Sequence, residues 1–155
     1  MKNLANKVQQ ASCIVIKIGS ALLVDADTGR VRSHWIESLT KDIALLKLDG
    51  KQVVLVSSGS IAIGREILNL ASNMIKLEEK QAAAAVGQGK LVQLWAHYLA
   101  QHKITAAQIL LAPDDTETRR RHLNARATIK TLLNLGVVPV VNENDTVTTY
   151  EIRFG

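Results

Sequence analysis

Three short polar segments of the sequence contain residue types that bind anions and charged small molecules. The first contains Lys17, Gly19 and Ser20, directly after a run of β-branched residues. A lysine ammonium group, closely approachable backbone N–H groups in a tight glycine turn and a hydroxyl together suit a phosphate group. On these residues alone, an ordinary strand-to-loop turn with a lysine that extends into solvent is an equally good interpretation.

The second segment is Ser-Ser-Gly-Ser at residues 57–60, which follows another apolar run and precedes a helical pattern. A turn rich in glycine and serine before a helix offers free amides and the positive end of the helix dipole to an anion. The same residues are favoured as helix caps, and the segment by itself fits that simpler role better.

The third segment, residues 142–145, contains Asn142, Glu143, Asn144 and Asp145 after an apolar run. Its amides both donate and accept hydrogen bonds, and its carboxylates attract a cation, so the segment could bind an ammonium and a carboxylate group. Polar turns of this composition are common in proteins. Its position after a predicted strand, as for the other two segments, favours a binding role.

The apolar runs between these segments predict the elements that position them. Strands are predicted over 13–18 and 53–56, with a helix between them that has Ser33 as its N-cap and ends at Gly50. This order predicts a βαβ unit with parallel strands. Ligands of open parallel sheets bind at the carboxyl ends of the strands, so we expect the polar segments to line one crevice. Further strands are predicted over 104–111 and 137–141, and helices over 3–10, 61–68, 78–101 and 119–135.

Several expectations concern packing. The strand that contains Ile14, Val15, Ile16 and Ile18 has the composition of a strand buried on both faces. The segment 22–32 contains turn residues at 25–29 and is expected to form a small hairpin or loop. Residues 69–73 are expected to be a polar break, and the residues around 113–115 a loop.

The long helix predicted over 78–101 contains two glycines, Gly87 and Gly89. Because glycine is unfavourable inside a helix, they indicate either close backbone packing or a break in the helix. Trp95 and Tyr98 lie on the apolar face of this helix and are expected to be core or interface residues rather than a platform that stacks bases.

The composition fits one globular domain of 155 residues with a net charge of +5. The only basic cluster, residues 119–121, follows acidic residues at 114, 115 and 117 that are expected to compensate it, which favours anionic small molecules over nucleic acid. Cys13 is expected to be a buried packing residue, and a single cysteine excludes a disulfide within this sequence. With no apolar leader and no apolar run long enough to span a membrane, a cytoplasmic location is expected.

Six segments in a fixed order resemble the amino-acid kinase family, and within it the glutamate 5-kinases. They are Val-Ile-Lys-Ile-Gly-Ser at 15–20, Val-Ser-Ser-Gly-Ser-Ile-Ala at 56–62, Gly-Arg-Glu at 64–66, Ala-Ala-Val-Gly-Gln at 84–88, Leu-Asn-Ala-Arg at 123–126 and Val-Pro-Val-Val-Asn-Glu-Asn-Asp at 138–145. Six ordered blocks over nearly the whole chain are far more specific than any single motif. The resemblance implies an α/β fold, a three-layer αβα sandwich with a mainly parallel sheet.

The resemblance also implies an activity: ATP-dependent phosphorylation of the side-chain carboxylate of L-glutamate to glutamyl 5-phosphate, in proline biosynthesis. Lys17, with Gly19 and Ser20 beside it, would contact the ATP phosphates. Lys17 would also be catalytic, because its charge would stabilise the transferring phosphoryl group. Mg²⁺ would be carried by the nucleotide rather than held in a dedicated protein site.

The same resemblance assigns the binding of glutamate to residues of the second and third polar segments. They are Ser58, Gly59, Asn142 and Asp145. Asp145 suits the α-ammonium group of the substrate, whereas Ser58 and the neighbouring backbone amides suit a carboxylate.

The sequence departs from the family pattern at its end. It stops at residues 150–155, where the family continues into an Asp-Asn-Asp segment with a further substrate contact and a catalytic aspartate. The adenine-binding half, a second lysine and often a PUA domain would follow. We therefore expect residues 1–155 to be the N-terminal, glutamate-binding portion of the kinase domain, with little or no kinase activity alone. Smaller departures are Ser57, where the family often has Thr, and Ser60, where it often has Ala.

Two other functions stay open. The chain could be a non-catalytic module that binds glutamate or proline, or a nucleic-acid binder, for which the net charge is the only argument. The resemblance further implies proline as feedback inhibitor, a homo-oligomer, glutamate-5-semialdehyde dehydrogenase as a candidate partner, and no membrane or nucleic-acid partner. Self-association is also expected from an uncovered sheet edge and apolar face.

Overall fold

A computed structural model describes residues 7–25, 28–70, 76–112, 115 and 117–146 of the chain. Some predictions lie outside these residues in whole or in part. They concern the start of the first helix at 3–6, the middle of the turn at 26–27, the polar break at 71–73, the loop at 113–114 and the C-terminal segment at 150–155.

The described part contains a strand or helix at each position where the sequence predicts one, with ends that differ by one or two residues. The strands are β1 (Cys13–Ile18), β2 (Gln52–Ser57), β3 (Ala106–Leu111) and β4 (Val138–Glu143). The helices are α1 (Ser20–Leu23), α2 (Ser33–Leu48), α3 (Ser60–Ile67), α4 (Leu77–Ala100) and α5 (Arg119–Asn134). Residues 7–10, at the end of the first predicted helix, are also helical.

The four strands form one parallel sheet in the order β1-β2-β4-β3, which confirms the predicted α/β class and the parallel βαβ unit. In the register of this sheet, Ile18 pairs with Ser57, and Leu55 pairs with Val140. The strands β1, β2 and β4 are therefore adjacent and end at the same edge. The three polar segments lie at the ends of these three strands, and each begins inside its strand.

The main core lies on one face of the sheet, beneath α2 and α4. Trp95 is completely buried, and Tyr98 packs against the same cluster while partly exposed, so the prediction that both are packing residues is confirmed. Aliphatic side chains of the sheet and of these helices belong to the same buried cluster as Trp95. They include Ile36, Ile43, Val53, Leu55, Leu91, Leu99, Val138 and Val140.

The other face of the sheet is covered less completely. The connection from β3 to β4 runs back across the sheet, so right-handed crossovers place α5 on the face opposite α2 and α4. Helix α5 packs against β4, but none of its residues is fully buried. The described helices thus lie on both sides of the sheet, as a three-layer arrangement requires.

The edge strand β1 differs from its prediction. Cys13, Val15 and Lys17 alternate along one exposed face, and Val15 is 63% exposed. The expected burial on both faces is therefore wrong for β1, because no described helix covers its second face. Cys13 is likewise exposed rather than buried. A β-branched composition alone cannot distinguish a strand covered on one face from a strand covered on two.

Local contacts at two helix starts correct or confirm smaller predictions. Ser33 is the first residue of α2 rather than its cap, since the N-cap residue is Arg32 and makes no side-chain hydrogen bond. Near the start of α5, Arg121 Nη1 lies 3.7 Å from Asp115 Oδ1, so an acidic neighbour does compensate the arginine cluster. The predicted hairpin is present as an antiparallel bridge between Val24 and Val31.

Helices α3 and α4 pack through their backbones. A Cβ atom on Gly87 would overlap the carbonyl oxygen of Ser60, and a Cβ atom on Gly64 would overlap that of Ala83. A Cβ atom on Gly89 would meet nothing within 4 Å, and α4 runs unbroken through both of its glycines. Close packing is therefore the correct interpretation for Gly87, whereas the backbone does not require a glycine at position 89.

None of the helices in the described ranges is both long enough and apolar enough to cross a membrane.

Candidate functional site

The turns after β1 and β2 lie side by side at the carboxyl edge of the sheet. The backbone N–H of Ser58 donates to the carbonyl oxygen of Ile18 at 3.0 Å, which joins the two strand ends. A Cβ atom on Gly59 would lie 3.7 Å from Cα of Ser20, so the second turn sits directly against the first. The predicted proximity of these two polar segments is confirmed.

Gly59 allows the chain to turn from β2 directly into α3. Its φ angle of +110° lies in the left-handed region, which glycine adopts without steric cost. Gly59 is also the N-cap residue of α3, and no side chain caps this helix. The simpler interpretation of residues 57–60 as serine helix caps is therefore wrong, and the buried hydroxyls of Ser57 and Ser60 bind elsewhere.

The backbone does not require a glycine at position 19. Gly19 has φ −76° and ψ 156°, an extended conformation that any residue can adopt, and an added Cβ atom would meet nothing within 4 Å. The expected tight turn at Gly19 and Ser20 is present, since the backbone N–H of Leu22 donates to the carbonyl oxygen of Gly19 at 3.1 Å, but this turn does not need a glycine. The absence of a side chain here instead leaves the surface above the end of β1 open.

Lys17 pairs with Val56 in the register of the sheet and lies on the face of β1 away from the main core. Its side chain is exposed. Within the described ranges, no hydrogen bond or ion pair involves its ammonium group. Lys17 therefore presents a solvated positive charge one residue before the end of β1, where an anion can approach it.

A chain of buried and partly buried hydrogen bonds joins the start of α3, the middle of α4 and the end of β4. Ser60 Oγ donates to Asp145 Oδ2 at 3.1 Å, and Asn142 Nδ2 lies 3.4 Å from Ser60 Oγ. Asn142 Nδ2 also donates to Gln88 Oε1 at 2.7 Å. Ser60, Gln88 and Asn142 are each less than a tenth exposed. We call Ser60, Gln88, Asn142 and Asp145 the Asp145 network.

The burial of Asp145 changes its acidity. Partial desolvation raises the pKa of the Asp145 carboxyl above its usual range, while the hydrogen bond from Ser60 acts in the opposite direction. A carboxylate in this position attracts a cation more strongly than one in bulk water, because less solvent screens its charge.

A second contact fixes the peptide of Ser58. Trp95 Nε1 donates to Ser57 Oγ at 3.0 Å inside the core, and Ser57 Oγ lies 3.3 Å from the carbonyl oxygen of Ser58. The Ser58 side chain itself is exposed. The core thus holds the backbone of the turn in place, and the Ser58 hydroxyl is accessible to a ligand.

The structure therefore groups the predicted residues into two sets. Asn142 and Asp145 belong to the Asp145 network. Lys17 lies outside this network, on the face of β1 that points away from the main core. Neither the residue patterns nor the family resemblance gave an individual binding role to Ser57, Ser60, Gln88 or Trp95. Gln88 lies in one of the six family-like blocks, but its partner Asn142 is 54 residues away, so no local pattern could reveal the contact.

The described residues contain no group of three or more His, Cys, Asp and Glu side chains that could hold a metal ion. A divalent cation at this edge would therefore rely on ligands from a bound molecule, as Mg²⁺ does when phosphate groups coordinate it.

Comparison with curated proteins finds close relatives along almost the whole chain. The chain is 58% identical over 145 residues to the glutamate 5-kinase of Roseobacter denitrificans. The match covers 94% of this chain and 39% of that protein. It is 56% identical over 151 residues to the glutamate 5-kinase of Gluconobacter oxydans, with 97% and 40% covered. The chain thus spans about two fifths of the length of these relatives.

Solved structures show the same fold. The carbamate kinase of Giardia lamblia bound to AMP-PNP superposes with a TM-score of 0.55 at 16% identity, covering 88% of this chain and 57% of that one. A second Giardia carbamate kinase structure gives a TM-score of 0.57 at 17% identity, over 86% and 58% of the two chains. A family model described as "Amino acid kinase family" matches residues 12–155. With a parallel sheet of the same fold and this match over nearly its whole length, the chain belongs to the amino acid kinase family.

Proposed function

We propose that this chain is the glutamate-binding part of a glutamate 5-kinase, which uses ATP to phosphorylate the side-chain carboxylate of L-glutamate for proline biosynthesis. The observation that carries the proposal is the Asp145 network, which holds a partly buried carboxylate and an amide at the sheet edge that also bears Lys17. The names of the relatives support glutamate as the substrate.

In this proposal the two groups of residues bind different parts of the reactants. Asp145 and Asn142 bind the α-ammonium group of glutamate, and the Ser58 hydroxyl with the backbone amides at Gly59 binds a carboxylate. Lys17, at the other side of the edge, contacts the phosphates of ATP beside Gly19 and Ser20. These last two residues leave the backbone above β1 open to the phosphates.

The chemical step needs little covalent help from the protein. A side-chain carboxylate oxygen of glutamate forms a bond to the γ-phosphorus, the bond from that phosphorus to the bridging oxygen breaks, and ADP leaves with the electron pair. The attacking carboxylate is already ionised, so no general base is required. Lys17 stabilises the negative charge of the transferring phosphoryl group, and Mg²⁺ bound to the nucleotide would neutralise further charge.

The proposal includes the wider properties of such an enzyme. They are a cytoplasmic location, a homo-oligomeric assembly, proline as feedback inhibitor and glutamate-5-semialdehyde dehydrogenase as partner. We further propose that residues 1–155 form the N-terminal portion of the kinase domain, and the match to only 39% of the length of the Roseobacter relative supports a partial domain. Phosphoryl transfer would then need groups from the remaining portion.

Isothermal calorimetry with L-glutamate tests the substrate. We expect the 155-residue chain to bind glutamate, and Asp145→Ala to bind it about ten to a hundred times more weakly, because a hydrogen bond to a charged partner is lost. Asp42→Ala, which removes an exposed carboxylate from α2, is the matched control and should bind normally. Equal affinity of the Asp145→Ala variant and the wild type would overturn the assignment.

ADP release by the same chain, with and without glutamate, tests the division of labour. We expect glutamate to bind without appreciable turnover, because Lys17 contacts no other charged group among the described residues. Turnover that depends on glutamate and approaches that of a full-length relative would refute the proposed domain boundary. If a full-length protein also binds glutamate or proline without turnover, a non-catalytic binding module is favoured. The Asp145 network is consistent with that second function, because all four of its residues lie within this chain.

A further inference from the structure

The direction of each hydrogen bond in the Asp145 network follows from the ionised carboxylate at its end. A carboxylate can only accept hydrogen bonds, so the single proton of Ser60 Oγ must point to Asp145 Oδ2. The lone pairs of Ser60 Oγ are then left to accept. Asn142 must therefore present its Nδ2 group, rather than its Oδ1 atom, to Ser60.

Gln88 fixes the same orientation from the other side. Its Oε1 atom accepts from Asn142 Nδ2 at 2.7 Å, so the second proton of the Asn142 amide is also used. Gln88 Nε2 is buried and has no hydrogen-bond partner within the described part of the chain. An unpaired buried donor is unfavourable, yet rotating the Gln88 amide would bring two NH₂ groups together. The Asn142 amide therefore determines the orientation of Gln88.

The consequence for a ligand lies at the Asn142 oxygen. With both protons of Nδ2 directed to Ser60 and Gln88, Asn142 Oδ1 remains as a hydrogen-bond acceptor without a partner among the described residues. It lies in the same network as the Asp145 carboxylate, which is also an acceptor. An ammonium group has three donors and can donate to both acceptors. A hydroxyl has a single donor and can satisfy only one of them, and an ionised carboxylate has none.

We propose that Ser60 and Gln88 are positioning residues that lock the Asn142 amide, so that Asn142 Oδ1 and the Asp145 carboxylate together select ligands with an α-ammonium group. The inference rests on the proposed function, because it takes glutamate as the amino acid that binds. It goes beyond that function, because neither Ser60 nor Gln88 belongs to the expected substrate-binding set. Ser60 also stands where the family often has Ala, so the lock through its hydroxyl is a feature of this chain rather than of the family.

The first test compares two ligands that differ only in the ammonium group. Calorimetry measures the affinities of L-glutamate and of glutarate, the same dicarboxylate without the amine, for wild type, Ser60→Ala and Gln88→Met. We expect each variant to bind glutamate about five- to tenfold more weakly and glutarate as before, since only the ammonium contact depends on the locked amide. Ser60→Thr, which retains the hydroxyl, should restore selectivity for glutamate.

Two matched controls come from the same chain. Ser33→Ala removes an exposed serine from the first position of α2, whereas Ser60→Ala removes a buried serine from the first position of α3. Gln93→Met removes an exposed glutamine from the same helix as Gln88. Both controls should leave both affinities unchanged. If Ser60→Ala and Gln88→Met weaken both ligands equally, or neither, the two residues are only structural and the proposal fails.

A second measurement does not depend on ligand binding. Hydrogen exchange of the Asn142 side-chain amide, followed by NMR, should be slow in the wild type and about tenfold faster in Ser60→Ala. If the wild type binds no glutamate, the proposed function fails, but slowed exchange that Ser60→Ala abolishes would still support the locked amide. Unchanged exchange in that variant would overturn the positioning role.

Discussion

The charge of Asp145 and its burial have opposite effects on the folded protein. Burial raises the pKa of this carboxyl, which favours the neutral form, whereas binding an ammonium group requires the ionised form. The hydroxyl of Ser60 donates to Oδ2 and partly offsets the effect of burial. Residues that make a binding site in this way reduce stability in return for function.

The linkage between pKa and stability gives the sign of this effect. A carboxyl whose pKa is higher in the folded state stabilises the fold below its unfolded pKa, near 3.8 for aspartate. That contribution is lost as the pH rises through the folded pKa. We therefore expect Asp145→Asn to raise the Tm at neutral pH and to give no gain in acid, while it weakens glutamate binding. Thermal unfolding from acid to neutral pH measures the Tm, and calorimetry measures the affinity for glutamate.

Asp42→Asn serves as the control for this prediction, because Asp42 is exposed on α2. It should change neither the pH dependence of the Tm nor the affinity for glutamate. A lower Tm of Asp145→Asn at neutral pH would show that the ionised carboxylate makes stabilising contacts that outweigh its desolvation.

At the scale of single residues, the sequence predicted which segments approach one another but not their hydrogen bonds. Lys17, Ser58, Asn142 and Asp145 all lie in turns or strand ends at one edge, as their positions after apolar runs indicated. The partners of Asn142 come from α3 and α4, far away along the chain. Only three-dimensional packing decides which polar side chain reaches which strand end, so Gln88 could not be identified from its neighbours.

At the scale of elements, the contact between α3 and α4 positions the network. Gly64 and Gly87 let the two helices approach until backbone atoms meet, and this approach brings Ser60 next to the turn of α4 that contains Gln88. The energetic cost of glycine inside a helix is about 1 kcal/mol at each position. The close approach of the helices offsets this cost at position 87, where a side chain would not fit.

A pair of alanine substitutions on α4 separates packing from helix propensity. Gly87→Ala would place a Cβ atom against the backbone oxygen of Ser60, which cannot move without shifting α3, so we expect a loss of about 1–3 kcal/mol in the free energy of unfolding. Gly89→Ala meets nothing within 4 Å and should gain up to about 1 kcal/mol from helix propensity. Urea denaturation measures both values, and equal effects would contradict the close packing.

Sequence patterns predicted the positions of the helices and strands better than they predicted the role of each glycine. The glycines at 19, 59, 87 and 89 look alike in sequence, since each lies in or beside a predicted helix or turn. In the structure Gly59 has a positive φ, Gly87 is pressed against backbone, and Gly19 and Gly89 have open space. Periodicity predicts a helix, but it contains no information on how closely a second helix approaches.

At the scale of the whole molecule, the two faces of the sheet are covered unequally. One face is packed under α2 and α4, whereas β1 exposes Val15 and Cys13 on the other face and has no strand on its outer edge within the described part. An apolar side chain on an open edge strand favours pairing with another copy. The composition of β1 predicted a buried strand, and the partner that would bury it is not among the described elements.

We therefore expect the 155-residue chain to self-associate through this edge. Val15→Lys places a charge in the middle of the exposed face of β1, where it opposes edge pairing, and should shift the chain to monomer in sedimentation velocity experiments across a range of concentrations. Leu48→Lys is the matched control, since Leu48 is 83% exposed at the end of α2 and away from the edge strand. It should leave the distribution of species unchanged. A wild-type chain that stays monomeric at all concentrations would exclude association. If both variants dissociate equally, the interface is not at the edge of β1, because an added charge then has the same effect far from that edge.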